Sequence, residues 1–349
     1  MLVAALRDLQ WRRRRFMIAI LATGVVFAMT LIMTGLSNGF EAEAARTVDE
    51  LGADAWLVPA GAAGPFLGAS ALPDSAAEAA ASLPGVEAAA PSIFSRASYG
   101  TGDDIEDVNL FGARTEGPGM PEIDDGRAPE TAQEVAVSSA LGADIGDDIE
   151  LTGKVFSVVG RIDDSTSVAG IANVFATVEG AQAISFGGQP IATSIALRGV
   201  PDAPPDGFQV IDQARARDDF LRPLTQARSA ISFVAILLWI VGALIVGSVV
   251  YLSVLERIRD FAVFKAVGTK TRSIMGGLAL QAVIVALIAA AVGAALSFVL
   301  APNFPLPVEI PASALWMLPV IAIAVGLAAS LAGLRRAVTV DPALAFGGP

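Results

Sequence analysis

The sequence has 349 residues, 54% of them hydrophobic, a mean hydropathy of +0.62 and only 17% charged side chains, against roughly a quarter in soluble globular domains. It contains neither Cys nor His, which excludes disulfides, thiolate or imidazole metal sites, cysteine nucleophiles and His-based triads. The charge of −12 is unevenly spread: 11 basic and 30 acidic residues lie between Ser37 and Arg228, whereas segments 1–36, 256–272 and 335–349 together hold 12 basic and 4 acidic ones. Such polarisation is expected of a chain divided by a membrane.

In chain order, residues 1–15 read as a cytosolic amphipathic helix ending in Arg12–Arg15. Residues 16–36 follow as an uncharged run of 21, enough to span the hydrocarbon core. The run exceeds the 7–15 residues of a signal-peptide apolar region, although Ala42-Glu43-Ala44 resembles a cleavage site. Residues 37–228 form a large insertion of mixed α/β character. It opens with Phe40, Ala44, Val48 and Leu51 at helical spacing and closes with a helical stretch, Asp212–Arg228, kinked at Pro223. Both ends are read as stalks rising from the membrane.

Within the insertion, Ala53–Gly61 predicts a strand, Ser75–Val86 a short helix ended by Pro-Gly, and Glu134–Ala143 a strand running into a helix. Asp147–Ile162 has a hairpin pattern turning at Thr152-Gly153-Lys154. Further strands and a helix are expected over residues 171–200.

Three more uncharged runs follow: 229–255, 273–301 and 310–334. They are separated by the 256–272 segment and a short outer loop, 302–309, and followed by a tail, 335–349. Every basic cluster falls on one side if the chain crosses four times, and the positive-inside rule makes that side cytosolic. The expected fold is an α-helical membrane protein with four transmembrane helices and a mixed α/β extracytoplasmic domain inserted between helices 1 and 2. Both termini are then cytosolic in the cell membrane. Small residues such as Gly293 and Gly326 suit close helix packing, and no Asp, Glu, Lys or Arg lies inside a span, which argues against an ion pathway through the bundle.

The acidic pairs Asp103-Asp104, Asp124-Asp125, Asp147-Asp148 and Asp163-Asp164 lack the spacing of a Ca²⁺ loop and read as solvated turns. No two carboxylates are placed by sequence at glycosidase separation. No G-x-x-x-x-G-K-[ST] cradle occurs.

The remaining feature is dense charge between two apolar runs: Glu256-Arg257-Ile258-Arg259-Asp260-Phe261-Ala262-Val263-Phe264-Lys265-Ala266-Val267-Gly268. Good helix formers closed by Gly268 predict a short helix. Its phenylalanines among charges suit either an amphipathic turn on anionic lipid or a plug for a groove on a cytosolic partner.

These residues resemble the pattern E-R-x-R-[ED]-[FI]-A-V-[FL]-[KR]-A-[VLI]-G of FtsX/MacB-type permeases of ABC transporters. Arg335-Arg336-Ala337 with Val340-Asp341-Pro342-Ala343-Leu344-Ala345 is similar to the closing signature of that family. Gly126-Arg127, Glu134–Val137, Gly146-Asp147 and Phe156–Gly160 resemble a run in its extracytoplasmic domain. The layout is closest to stand-alone permeases of the DevC type. The resemblance implies a non-catalytic permease subunit, with ATP and Mg²⁺ bound by a separate cytosolic ABC ATPase. A second permease copy (homo- or heterodimer) and an extracytoplasmic adaptor are expected partners; nucleic acid is not. Glu256, Arg257, Arg259, Asp260, Phe261, Val263, Phe264, Lys265, Ala266 and Gly268 would form the ATPase-coupling helix. The implied function is mechanotransmission, with efflux or extraction of a substrate. An FtsX-like regulator of a cell-wall hydrolase is the alternative.

Overall fold

The computed structural model describes residues 13–67, 70–101, 104–256, 263, 271–304 and 306–338. The chain divides into two compact units: an inserted domain, Phe40–Gln226, and a helical unit drawn from the segments on either side of it. The described helices are α1 (Arg13–Glu50), α2 (Ala76–Ala81), α3 (Val178–Ser185), α4 (Gln213–Leu221), α5 (Thr225–Glu256), α6 (Thr271–Leu300) and α7 (Ala312–Val338). The strands are β1 (Ala55–Pro59), β2 (Leu72–Pro73), β3 (Val86–Thr101), β4 (Asp104–Ala113), β5 (Asp125–Gly126), β6 (Glu134–Ser138), β7 (Asp148–Leu151), β8 (Lys154–Ile162), β9 (Thr166–Ser167), β10 (Ile171–Thr177), β11 (Ile191–Ala192), β12 (Ser194–Gly199) and β13 (Phe208–Asp212).

The inserted domain is organised by one sheet in the order β13-β1-β12-β3-β4-β10-β6-β8-β5. Strand β7 pairs with both β8 and β3, meeting the latter at Leu151 and Tyr99. The β7–β8 hairpin turns through Thr152 and Gly153, both at positive φ (49° and 78°), the backbone twist that a two-residue hairpin favours. Pairing is mixed: β10 runs parallel to β4 and antiparallel to β6, and β6 is parallel to β8.

Strand alternation places side chains on two buried faces. Val108 and Leu110 of β4, Val135 and Val137 of β6, and Val174 and Ala176 of β10 join one core, which α2 and α3 cover with Ala77, Ala80 and Ala181. Phe111, Ala136 and Phe175 point into the other, closed by Ala44, Val48 and Leu51 of α1 and by Ala216 and Phe220 of α4. Aromatic rings dominate this second core. Phe66 stacks on Phe220 at 4.2 Å, and Phe111 stacks on Phe175 and meets Phe94 edge-on, both at 5.0 Å. The loop carrying Phe66 is fixed by buried Asp219, which accepts the N–H groups of Phe66 (2.9 Å) and Leu67 (3.0 Å). Pro223 ends α4 through a 3₁₀ turn, Arg222–Leu224, before α5 begins.

The helical unit packs through small residues, as the absence of a strong hydrophobic drive between helices in lipid requires. A Cβ on Gly293 of α6 would lie 2.8 Å from the Cβ of Phe27 on α1, and one on Gly326 of α7 would lie 2.9 Å from the Cα of Val283 on α6. Phe27 also meets Trp239 of α5, with ring centroids 5.2 Å apart. Four spans were expected. Among the described residues three helices are long and apolar enough to cross a membrane: Phe16–Glu50, Gln213–Glu256 and Gly276–Asn303. The α7 region contributes a shorter apolar stretch, Ala312–Ala328, because its side chains from Ala329 onward lie outside the described residues.

Candidate functional site

Of the residues expected to form the coupling helix, Glu256 is the last residue of α5 and Val263 is helical and half-exposed. Arg257, Arg259, Asp260, Phe261, Phe264, Lys265, Ala266 and Gly268 lie outside the described residues.

The described structure is richest in polar geometry where the last turns of α1 meet the inserted domain's sheet. Glu43 sits on the face of α1 that also carries Phe40, Ala44, Thr47 and Val48, and only 2% of it is exposed. Its carboxylate accepts Thr166 Oγ1 at 2.7 Å, the Ala169 N–H at 2.9 Å and the Gly170 N–H at 2.8 Å. Those N–H groups converge because Val168, Ala169 and Gly170 all adopt positive φ (56°, 72° and 87°), a conformation costly for a β-branched residue unless its surroundings enforce it. One turn later, Thr47 Oγ1 bonds its own helix at the Glu43 carbonyl and reaches the Thr166 carbonyl, both at 3.0 Å.

A second layer lies behind this contact. Ser165 donates to Glu50 at 3.0 Å, and Asn173 Nδ2 donates to Ser165 at 3.1 Å. Ser167 donates to Asn173 Oδ1 at 2.6 Å, while Asn109 Nδ2 donates to Ser167 Oγ at 2.9 Å. Burial pushes the Glu50 carboxyl above the usual carboxylate range, opposed by the Ser165 bond and by Arg46. The arrangement joins α1, β4 and β10 by directional polar contacts inside an apolar core, with the buried Asn109 Oδ1 alone in this group left without a partner. Directional bonds of this kind fix one relative position more sharply than non-directional packing does.

The motif residues of the inserted domain have local physical reasons. Gly126 and Gly160 are paired Cα partners of β5 and β8, and a Cβ on Gly160 would collide with the Arg127 carbonyl. Arg127 and Glu134 form a bidentate pair at 3.0 and 2.5 Å, and Glu134 Oε2 also accepts the N–H groups of Glu130 (2.9 Å) and Thr131 (3.1 Å). The Arg127 bond, followed by those backbone donors, holds the Glu134 carboxyl down to about 2. A depressed carboxylate stabilises the fold above its unfolded pKa and loses that contribution as pH falls through the folded value. Wild type is therefore expected to exceed Glu134→Gln in thermal midpoint at pH 6, with the gap closing between about pH 4.5 and pH 2. A gap constant over that range would contradict this role.

The carboxylates of two of the acidic pairs, Asp124-Asp125 and Asp147-Asp148, serve in caps and ion pairs. Asp124 accepts the Asp163 N–H at 2.8 Å, Asp125 pairs with Arg161 at 3.0 Å, Asp147 caps the Asp144 N–H at 2.9 Å and Asp148 accepts Ser157 Oγ at 2.7 Å.

Sequence reasoning passed over Glu43, Ser165, Ser167, Asn173 and Asn109. One signal for Glu43 was present: a carboxylate three residues after Phe40 interrupts the apolar stripe of α1. Ser165 just before β9, Ser167 in β9 and Asn173 in β10 are close in sequence, but nothing local reveals that Ser165 bonds a helix residue 115 positions earlier.

This fold, an α/β domain inserted after the first of several long apolar helices, is that of a membrane protein with a large inserted domain. Residues 16–216 match a family model described as MacB-like periplasmic core domain, and residues 232–342 one described as FtsX-like permease C-terminal. The chain belongs to the ABC transporter permeases of this family. It is 56% identical over 349 residues to "Uncharacterized ABC transporter permease Rv2563" of Mycobacterium tuberculosis, covering 100% of both chains. It is 54% identical over 353 residues to "Uncharacterized ABC transporter permease Rv0072" of the same species, again over 100% of both. Among solved structures, the extracellular domain of the ABC-type transporter YknZ aligns with 41% of this chain and 90% of its own at 12% identity and a TM-score of 0.33.

Proposed function

We propose that the chain is the mechanotransmitting permease of an ABC transporter. It crosses the membrane four times with both termini cytosolic, pairs with a second permease copy and takes its power from a separate ATPase that binds ATP and Mg²⁺. Residues 256–272 are the coupling segment, with Phe261, Val263, Phe264, Lys265 and Ala266 on the ATPase surface. Closure of the ATPase pair displaces this segment, and the long helices carry the displacement to the extracytoplasmic domain, which expels or extracts a substrate.

The observation that carries this reading is the construction of α1. It is a single helix, Arg13–Glu50, apolar over residues 16–36, and Glu43 and Glu50 bond its last turns to β9 and to the loop that precedes it. A helix so fixed transmits displacement rather than absorbing it. The uncharged spans support a role other than conducting ions. The permease names of the relatives favour transport over regulation of a hydrolase.

The test is Phe264→Asp. An aromatic anchor in a partner's groove is worth more than about 1 kcal/mol when removed, and a buried carboxylate adds a desolvation cost. The variant is expected to insert and fold normally but to lose co-purification with the ATPase. Retention of the ATPase at wild-type levels would refute the assignment.

A further inference from the structure

We infer that the inserted domain holds a binding site for a small anionic amphiphile, in a cleft of 570 Å³ between β3, the end of α3 and the loop that carries Phe66. The volume lies within the range of about 300–1,000 Å³ typical of small-molecule sites. The proposal goes beyond the permease reading and does not depend on the coupling segment, since the site lies within the inserted domain.

Three features define the ligand. The lining includes three aromatic residues: Phe66 and Phe94, 3% and 5% exposed, belong to the buried ring cluster with centroids 5.8 Å apart, and the half-buried Phe186 follows α3. The apolar surface open to a ligand comes mainly from the half-buried Ile184 and Phe186, backed by the edges of the buried rings. Hydroxyls also line the cleft. Ser95 and Ser185 share a 2.6 Å bond in which one hydroxyl donates and the other accepts, so one hydroxyl hydrogen of the pair remains for a ligand acceptor. Thr193 is not spare, because it accepts the Phe94 N–H at 3.0 Å and donates to the Ser92 carbonyl at 3.1 Å.

The third feature is charge. Arg96 is the one charged residue among the described lining. Its partner, Asp107, stands at 3.8 Å with both side chains about half or more exposed (48% and 63%), a loose pair of the kind that contributes little. A ligand carboxylate, sulfonate or phosphate at the mouth would offer the guanidinium a planar, shorter contact. In a segment with 30 acidic and 11 basic residues, Arg96 supplies a positive group to the lining of this cleft. The ligand class is thus a compact aromatic or branched apolar body with a hydrogen-bond acceptor and one anionic end.

The experiment uses the full chain in nanodiscs, titrated with anilinonaphthalene sulfonate against empty nanodiscs and displaced with 4-phenylbutyrate. A saturable component displaced by phenylbutyrate is expected. Ser185→Trp, which fills the cleft, should abolish it; Arg96→Gln, at an exposed position, should weaken it by about tenfold, the loss of one good ionic contact. Comparable melting of the variants and wild type separates site loss from misfolding. No saturable component above empty nanodiscs overturns the site. Equal binding by well-folded Ser185→Trp overturns its location, and equal binding by Arg96→Gln overturns the anionic ligand class.

Discussion

Glu43→Ala is expected to release the turn between β9 and β10 from α1. The carboxylate is buried and receives three donors, and hydrogen bonds to a charged group contribute about 1.5–3 kcal/mol each before losses are shared. Its removal leaves two backbone N–H groups and a hydroxyl facing an apolar void, in a turn where Val168 and Ala169 already hold positive φ. Relaxation of that turn and entry of water recover part of the loss, so a net cost of about 3 kcal/mol is the expected scale. Hydrogen exchange at residues 166–170 of the full chain should accelerate by roughly a hundredfold, the equivalent of that cost. Glu43→Gln keeps the shape and one acceptor oxygen but presents an amide to the other donors, so it should fall between alanine and wild type. Unchanged exchange in Glu43→Ala would show that the turn holds without the helix.

Phe111→Ala carries the other large effect. Phe111 is 1% exposed and its ring meets those of Phe66, Phe94, Phe175 and Phe220. Truncation opens a cavity in the centre of this cluster, walled by rings anchored on β3, β10, α4 and the 62–67 loop. Few of them can move inward, so the cost should be about 3–5 kcal/mol. Denaturant unfolding followed by Trp56, the one tryptophan within residues 40–226, should show the midpoint falling accordingly. Ile105→Ala, at a position 57% exposed, should stay within about 0.5 kcal/mol of wild type. Similar shifts for both would mean that the ring cluster is not the domain's main source of stability.

How much was legible follows from what each signal depends on. The β1 strand at Ala55–Pro59, the α2 helix before Pro84-Gly85 and the β7–β8 hairpin were readable because turn chemistry and a local apolar pattern coincide there. The stretch after β6 was expected to become a helix and forms one 3₁₀ turn, Ser139–Leu141, closed by Gly142 at φ 72°. The long β3–β4 hairpin had no such signal. β3 is rich in Ala and Ser, and β4 opens with Asp104, Glu106 and Asp107; their strand character comes from pairing with β10 and β12 rather than from intrinsic preference. The proposed coupling segment, 256–272, stands out in the sequence because its charges lie between two apolar runs, and most of it lies outside the described residues. The Glu43 contact was not legible, since a carboxylate in an apolar stripe has meaning only once its distant backbone donors are in place.

The central claim is that residues 256–272 face the cytosol and the inserted domain faces outward. The natural absence of Cys permits a direct measurement with single cysteines at Gly268 and at the exposed Asp206, labelled in intact cells by a membrane-impermeant maleimide. Asp206→Cys should react in intact cells, and Gly268→Cys only after the membrane is opened. Labelling of Gly268→Cys in intact cells would contradict the account.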